Sequence, residues 1–210
     1  MRWAAALCAI AGLWAIAGCG SVPPTHYYVL ETPRPVGPGG GDTGARAHVV
    51  GVTDFRVDPP YDRDTLVYRV AAHPTEVGFY DYHRWAAPLE RMLPVVFARG
   101  LSLADGATAF EPAVPGRAYA ALLHGRVTTI EEIDHADREE VRLRVELVLA
   151  LPDGSQLWSY AAAGGRALDA DEVVEIAEAM NATLAELVQE ARPAVAAALG
   201  EHRQRIGAGH

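Results

Sequence analysis

The chain is 210 residues long, with 18 basic and 27 acidic side chains, a formal net charge of −9, and half of its residues hydrophobic. That length and apolar content suit one domain with a single substantial core. The acidic balance disfavours binding to nucleic acid or to anionic lipid headgroups as the main activity, since both would repel the chain at long range.

The N-terminus reads MRWAAALCAIAGLWAIAGC: one basic side chain at Arg2, an apolar run from Trp3 to Ile16, then small residues before a cysteine. This is the order of an export leader. The run is shorter than the roughly 18 to 20 apolar residues a spanning helix needs, and no basic stop-transfer cluster follows it. Ile16-Ala17-Gly18-Cys19 resembles the lipobox of bacterial lipoproteins, which implies a leader over 1–18 and a diacylglycerol on the Cys19 sulfur. The alternative is an ordinary secretory signal. It would leave Cys19 as a lone thiol in an exported domain, because Cys8 is the only other cysteine and departs with the leader. At ~0.8 kcal/mol per buried CH₂, two or three acyl chains make a lasting anchor. Gly20 stands where an Asp would resemble an inner-membrane retention signal, so the outer membrane, periplasmic face, is expected. Residues 19–26 form the lipidated cysteine and a tether whose Gly20–Thr25 stretch reaches at most ~20 Å.

Along the rest of the chain, Tyr27–Leu30 reads as a short strand and Glu31–Ala47 as a Gly/Pro loop. His48–Val57 reads as a second strand, Leu66–Val70 as a third and the aromatic Glu76–Tyr82 as a fourth. A helix is expected after Trp85, with Pro88 in its opening turn, a stripe of Leu89, Met92, Leu93, Val96 and Phe97, and an end near Gly100. Pro94 should kink it or leave one hydrogen bond unmade. Tyr119–Ile133 returns to strand, and Val141–Leu151 alternates apolar residues with Arg142, Arg144 and Glu146. The turn Pro152-Asp153-Gly154-Ser155 should join it to Gln156–Ala162 as an antiparallel hairpin. The last element is a long helix signalled by Asp169 and Glu172, with Val173, Ile176, Ala177, Met180, Leu184, Leu187, Val188 and Ala191 on one face and Pro193 as a bend. The expectation is an α+β sandwich: a mostly antiparallel sheet with two amphipathic helices on one face, a domain over 27–200 and a disordered tail over 201–210.

Within this pattern, DFRVDPPYDRDTLVYRV followed by VGFYDYHRWAAPLERML resembles the ABC-type transport auxiliary lipoprotein family. The residues that carry the likeness are Pro60, Tyr61, Tyr68, Arg69, Tyr80, Trp85, Ala86, Pro88 and Leu89; Tyr27–Leu30 and the terminal helix also fit. The resemblance implies a non-enzymatic periplasmic subunit, without cofactor, that works with an ABC transporter permease and ATPase. It also implies a mammalian-cell-entry type substrate-binding protein as partner, in a system moving lipids or other apolar molecules between two membranes. Some family members form homo-oligomeric rings.

No residue pattern argues for catalysis or metal binding. Asp54, Asp58, Asp62 and Asp64 are dense, but they lack the glycine and closing glutamate of an EF-hand and are stiffened by Pro59 and Pro60. His73, His83, His124 and His135 have no helical i, i+4 partner and no cysteine companion. Ser155 lacks a Gly-x-Ser-x-Gly setting, and Glu131-Glu132 sits on a strand where neighbours face opposite ways. The aromatic residues Tyr61, Tyr68, Tyr80, Tyr82 and Trp85 are read as core packing first and as a partner or self-association surface second. Arg142 and Arg144 are read as solvated sheet face first and partner contacts second. A different class of function, an outer-membrane assembly or envelope-integrity lipoprotein, stands as the alternative.

Overall fold

The computed structural model describes residues 22–31, 48–102, 108–168 and 172–208. Cys19, the leader and most of the Gly/Pro loop lie outside the described residues.

One strand organises the molecule. β7 (Ala121–Asp134) pairs along its whole length with β8 (Glu139–Ala150), antiparallel, and β8 continues into the antiparallel hairpin partner β9 (Gln156–Leu168). On its other side β7 takes three parallel partners in succession. β2 (His48–Val52) pairs at its start, β3 (Arg56–Val57) in the middle, and β4 (Thr65–Val70) at its end, where Tyr68 lies opposite Glu132. β6 (Thr108–Pro112) adds to β2 in parallel. β5 (Gly78–Trp85) adds to β4 antiparallel, and β1 (His26–Tyr28) adds to β5 in parallel. The long pairings are antiparallel, as expected; the parallel ones belong to the short strands. The sheet therefore has two poles. One carries β1, β5 and the end of β4, and the other carries β2, β6 and the β8–β9 turn.

Two helices cover one face. α1 (Leu89–Leu101) packs on β2, β3 and β6, while α2 (Val173–Gly207) packs on β8 and β9, and the helices touch each other. Between them and the sheet lie Leu89, Leu93, Val96 and Phe97 of α1 and Met180, Leu184, Val188 and Val195 of α2, all almost fully buried. They meet the inward row Val141, Leu143, Val145, Leu147 and Leu149 of β8, whose outward neighbours Arg142 and Arg144 are exposed. Burial of such a row is the main favourable term, at about 25 cal/mol per Å² of apolar surface.

Three departures from the sequence reading have local causes. His48–Val57 is two strands, because after Thr53, whose amide still donates to the Leu123 carbonyl at 2.9 Å, the chain leaves the ladder and the Phe55 amide donates to the Glu90 carbonyl at 3.3 Å. That carbonyl is available because Pro94, four residues on, has no N–H to offer it. Pro94 thus leaves one helical bond unmade, and the adjoining loop fills it. Next, β6 forms between the first helix and Tyr119, a stretch to which the sequence reading assigned no element. Finally, α2 runs unbroken past Pro193 to Gly207, so 201–207, expected as tail, is helical. Its capping box is Glu172 with Glu175, three residues beyond the expected position; Asp169 lies outside the described residues.

β7 also carries a bulge between Val127 and Thr129. Before it, Leu123 and Val127 face the core opposite Leu149 and Val145; after it, Ile130 and Glu132 do so, opposite Leu143 and Val141. An extra residue in one strand reverses the facing of everything beyond it. This decides which of two adjacent glutamates turns toward the helices.

Candidate functional site

Glu131 and Glu132 face opposite ways, and both are buried. On the outer face, Glu131 accepts hydrogen bonds through Oε2 from the Tyr61 hydroxyl at 2.6 Å and from Arg69 Nε at 2.7 Å. Arg69 also donates to the Pro74 carbonyl, which ties the β4–β5 turn to the same point. Tyr61 reaches this position from the Pro59-Pro60 turn, whose peptide bond is cis, and lies 5% exposed. The buried carboxylate is therefore both paired and hydrogen-bonded, the condition under which such a charge is tolerated.

On the inner face, the Tyr80 hydroxyl donates to Glu132 Oε2 at 2.7 Å, and the Tyr80 ring packs on Tyr68 at 4.9 Å between centroids. Tyr68 in turn lies over Gly78, where any Cβ would fall inside the ring. Burial pushes the Glu132 carboxyl above its ordinary range, with Asp134 and Glu139 adding to the rise and the Tyr80 hydrogen bond opposing it. Burial also raises the Tyr80 phenol, and the neighbouring Glu132 reinforces this. The pair works as a fixed acceptor and its donor.

The aromatic series continues to β1. His83 meets Tyr80 edge-on at 5.7 Å, stacks on His26 at 5.1 Å, and shares a 2.7 Å hydrogen bond between its Nδ1 and the Tyr28 hydroxyl. Burial lowers the His83 pKa, and the neighbouring His26 lowers it further. The neutral ring is thereby favoured. β1 is fastened a second time by Asn181 of α2, whose side-chain amide donates to the Val29 carbonyl at 3.0 Å and accepts from the Glu31 amide at 2.7 Å. The Ala86 amide donates to the Tyr28 carbonyl at 2.7 Å. The first described segment is thus held by the sheet and by α2.

The aromatic residues singled out in the sequence do not form one surface. Trp85 and Tyr61 are buried in the core; Tyr68 and Tyr80 are half-buried, their rings tilted against each other; Tyr82 alone of the five is exposed. Arg142 bonds Glu140 at 2.7 Å with its guanidinium in solvent, and Arg144 makes no ion pair among the described residues. Opposite them on β9 stand Gly165 and Ala163, so both arginine heads rise above a low strip. The four aspartates do not converge: Asp58 binds Arg126 at 2.6 Å and Asp64 binds Arg84 at 2.7 Å. Arg126, ahead of burial, holds the Asp58 carboxyl below its ordinary range.

Sequence reading missed Arg69, His83 and Asn181 as structural fasteners. The Tyr68-Arg69 pair carried a signal, because an arginine on a half-buried strand calls for a buried acid. At the far pole, a groove of about 560 Å³ opens between Thr53, Asp54, Val114, Pro115, Tyr119 and Leu122. Its Tyr119 hydroxyl accepts from the Val114 amide at 2.8 Å. Among the described residues no group of three or more His, Cys, Asp or Glu side chains gathers as a metal site. No helix there is long and apolar enough to cross a membrane.

Comparison with solved structures places this fold among known ones. Protein XCC0632 from Xanthomonas campestris, described as a member of the family model DUF330, is similar with a TM-score of 0.67 at 18% identity, over 86% of this chain and 99% of that one. A second structure, of an uncharacterised protein, is similar with a TM-score of 0.61 at 15% identity, over 82% of this chain and 99% of that one. No curated protein matches the chain. The model of the ABC-type transport auxiliary lipoprotein component matches residues 28–197, which span nearly all of the described fold, from β1 to the last third of α2. The chain therefore belongs to the ABC-type transport auxiliary lipoprotein component family.

Proposed function

We propose that the chain is the membrane-tethered periplasmic adaptor of an intermembrane transport system of the mammalian-cell-entry type. In this reading it acts without catalysis and helps an ABC permease and ATPase move lipids or other apolar molecules between two membranes. The observation that carries the proposal is the family match over 28–197, and the lipobox-like Ile16-Ala17-Gly18-Cys19 supports it. The buried polar groups are compatible with an adaptor role: Glu131 accepts from Tyr61 and Arg69, and Glu132 from Tyr80, so both serve as fastenings within the fold. The anchor is the acylated Cys19 in the outer membrane, and the exposed Arg142 and Arg144 offer contacts for a partner subunit or a second copy.

Two experiments test this reading. Cys19→Ala should release the exported protein from the membrane fraction, and persistence there would overturn the anchor. Affinity capture of the lipidated protein should co-purify a mammalian-cell-entry type partner encoded beside it. Arg142→Glu with Arg144→Glu should weaken that capture while leaving the fold intact, both side chains being solvent-exposed. Capture of envelope-assembly factors instead of a transport subunit would favour the alternative class of function.

A further inference from the structure

Exposed apolar side chains gather at the pole nearest the tether. Val22 is 78% exposed, Tyr27 64% and Val29 49%, all on the first described segment; Tyr82 projects from β5 one residue before the His26↔His83 pair. Two valines and a tyrosine exposed on the ten residues Val22–Glu31, with a second exposed tyrosine on the neighbouring β5, make an apolar patch of the kind that marks a contact surface. Val22 lies three residues from Cys19, a span of at most ~11 Å even when fully extended. Whatever membrane holds Cys19 is therefore within reach of this patch.

The edge is poorly suited to another protein strand. β1 has only three residues, and Pro23 and Pro24, one residue ahead of it, lack the amide hydrogens a strand partner needs. The side chains suit a lipid boundary better, since tyrosine places an apolar ring and a polar hydroxyl across the headgroup level. The chain's negative charge selects a zwitterionic surface over an anionic one.

We infer that the β1–β5 pole lies against the bilayer that holds the anchor, with Val22, Tyr27, Val29 and Tyr82 seated at the headgroup level of zwitterionic phospholipid. This rests on the lipid anchor proposed above and adds an orientation to it. The β1 clamp through His83 and Asn181 holds that pole rigid, so the β2–β6 groove points away from the membrane. Along the length of β7 the two poles are about 40 Å apart at the usual rise of a strand.

The test places the full-length lipidated protein in vesicles of phosphatidylethanolamine and phosphatidylcholine, with or without bromine on the upper part of the acyl chains. Variants Tyr27→Trp, Tyr82→Trp and, at the far pole, Val114→Trp are compared with the unsubstituted protein; once Trp3 and Trp14 have left with residues 1–18, Trp85 and Trp158 give the background. Flotation with the vesicles reads the anchor, and quenching reads the orientation. The expected result is that the added emission of Tyr27→Trp and Tyr82→Trp falls by about half in brominated lipid, as for aromatic side chains at the interface. That of Val114→Trp should be unchanged. Floating protein in which all three variants respond alike would overturn the orientation while leaving the anchor standing. Floating protein whose Tyr27→Cys variant forms disulfide dimers, with no quenching at position 27, would overturn it in favour of a second copy on this patch. Protein that does not float would overturn both.

Discussion

Tyr61 and Tyr80 each give one hydroxyl to a buried glutamate, and the two glutamates are neighbours in sequence on opposite faces of β7. Removing one donor leaves a buried acceptor short of a partner, at about 1–3 kcal/mol. Tyr61→Phe should destabilise the fold by that amount, read from denaturant midpoints, and it should do so although the ring still fills its place. Glu132 behaves differently, because burial raises its carboxyl above its unfolded value. Its contribution to stability is fully present below the ordinary glutamate pKa of about 4.3 and is lost as pH rises through the higher folded value. Glu132→Gln keeps an oxygen for Tyr80 and removes that loss, so it should stabilise the protein at pH 7 and give no gain near pH 4. A variant less stable than the parent at pH 7 would show that the charge itself is needed. Alternation along the strand indicated that Glu131 and Glu132 face apart. Which one turns inward depends on the Val127/Thr129 bulge, which has no signature in residue type.

The elements whose apolar period repeats over several turns were legible in sequence: the α1 and α2 stripes, and β8 with its hairpin. Those that depend on distant partners were not. β6 is defined by pairing with β2, more than fifty residues earlier, and the gap between β2 and β3 is defined by a carbonyl that a helix proline sets free. β1 shows the same dependence. It is three residues long, too short to persist without the sheet, and two side chains hold it: Asn181 from α2 and His83 from β5. Asn181→Ala should speed hydrogen exchange at the Glu31 amide roughly tenfold, at about 1 kcal/mol per lost bond, with little change in the exchange of β8. The same site should respond to acid. The folded pKa of His83 lies below its ordinary value of about 6.5, so the stability it lends is present above that value and is lost as pH falls through the lower one. Protonation also makes Nδ1 a donor, so that it can only give a hydrogen bond to the Tyr28 hydroxyl. Exchange over His26–Tyr28, corrected for its intrinsic rate, should therefore rise between pH 7.5 and pH 5, and Tyr28→Phe should blunt the rise.

At the scale of the molecule, β7 joins every group of strands, and α2 runs the length of β9 and its hairpin. Neither pole has a core of its own. Trp85 sits toward the β1 pole, and Trp158, paired with Leu149, sits toward the hairpin turn. In protein lacking residues 1–18, which carry Trp3 and Trp14, Trp158→Phe leaves Trp85 as reporter and Trp85→Phe leaves Trp158; within each variant, fluorescence and far-ultraviolet circular dichroism should trace one coincident urea transition. Separate transitions would mean that the poles unfold independently. The two-layer α+β plan was legible from the order of amphipathic segments, whereas the polarity of the molecule was not, because it comes from three short parallel strands docking in turn on one long one. The parallel docking of β1 on β5 has a mechanical consequence. The chain enters β1 from the side of the proposed anchor, so tension drawn through the tether acts along the strand and loads its ladder, the Ala86 bond and the Asn181 bonds together in shear. A joint loaded in shear yields only when all of its bonds give way at once, whereas one peeled from its end fails bond by bond. Such an attachment suits a domain that must stay seated while a partner pulls on it.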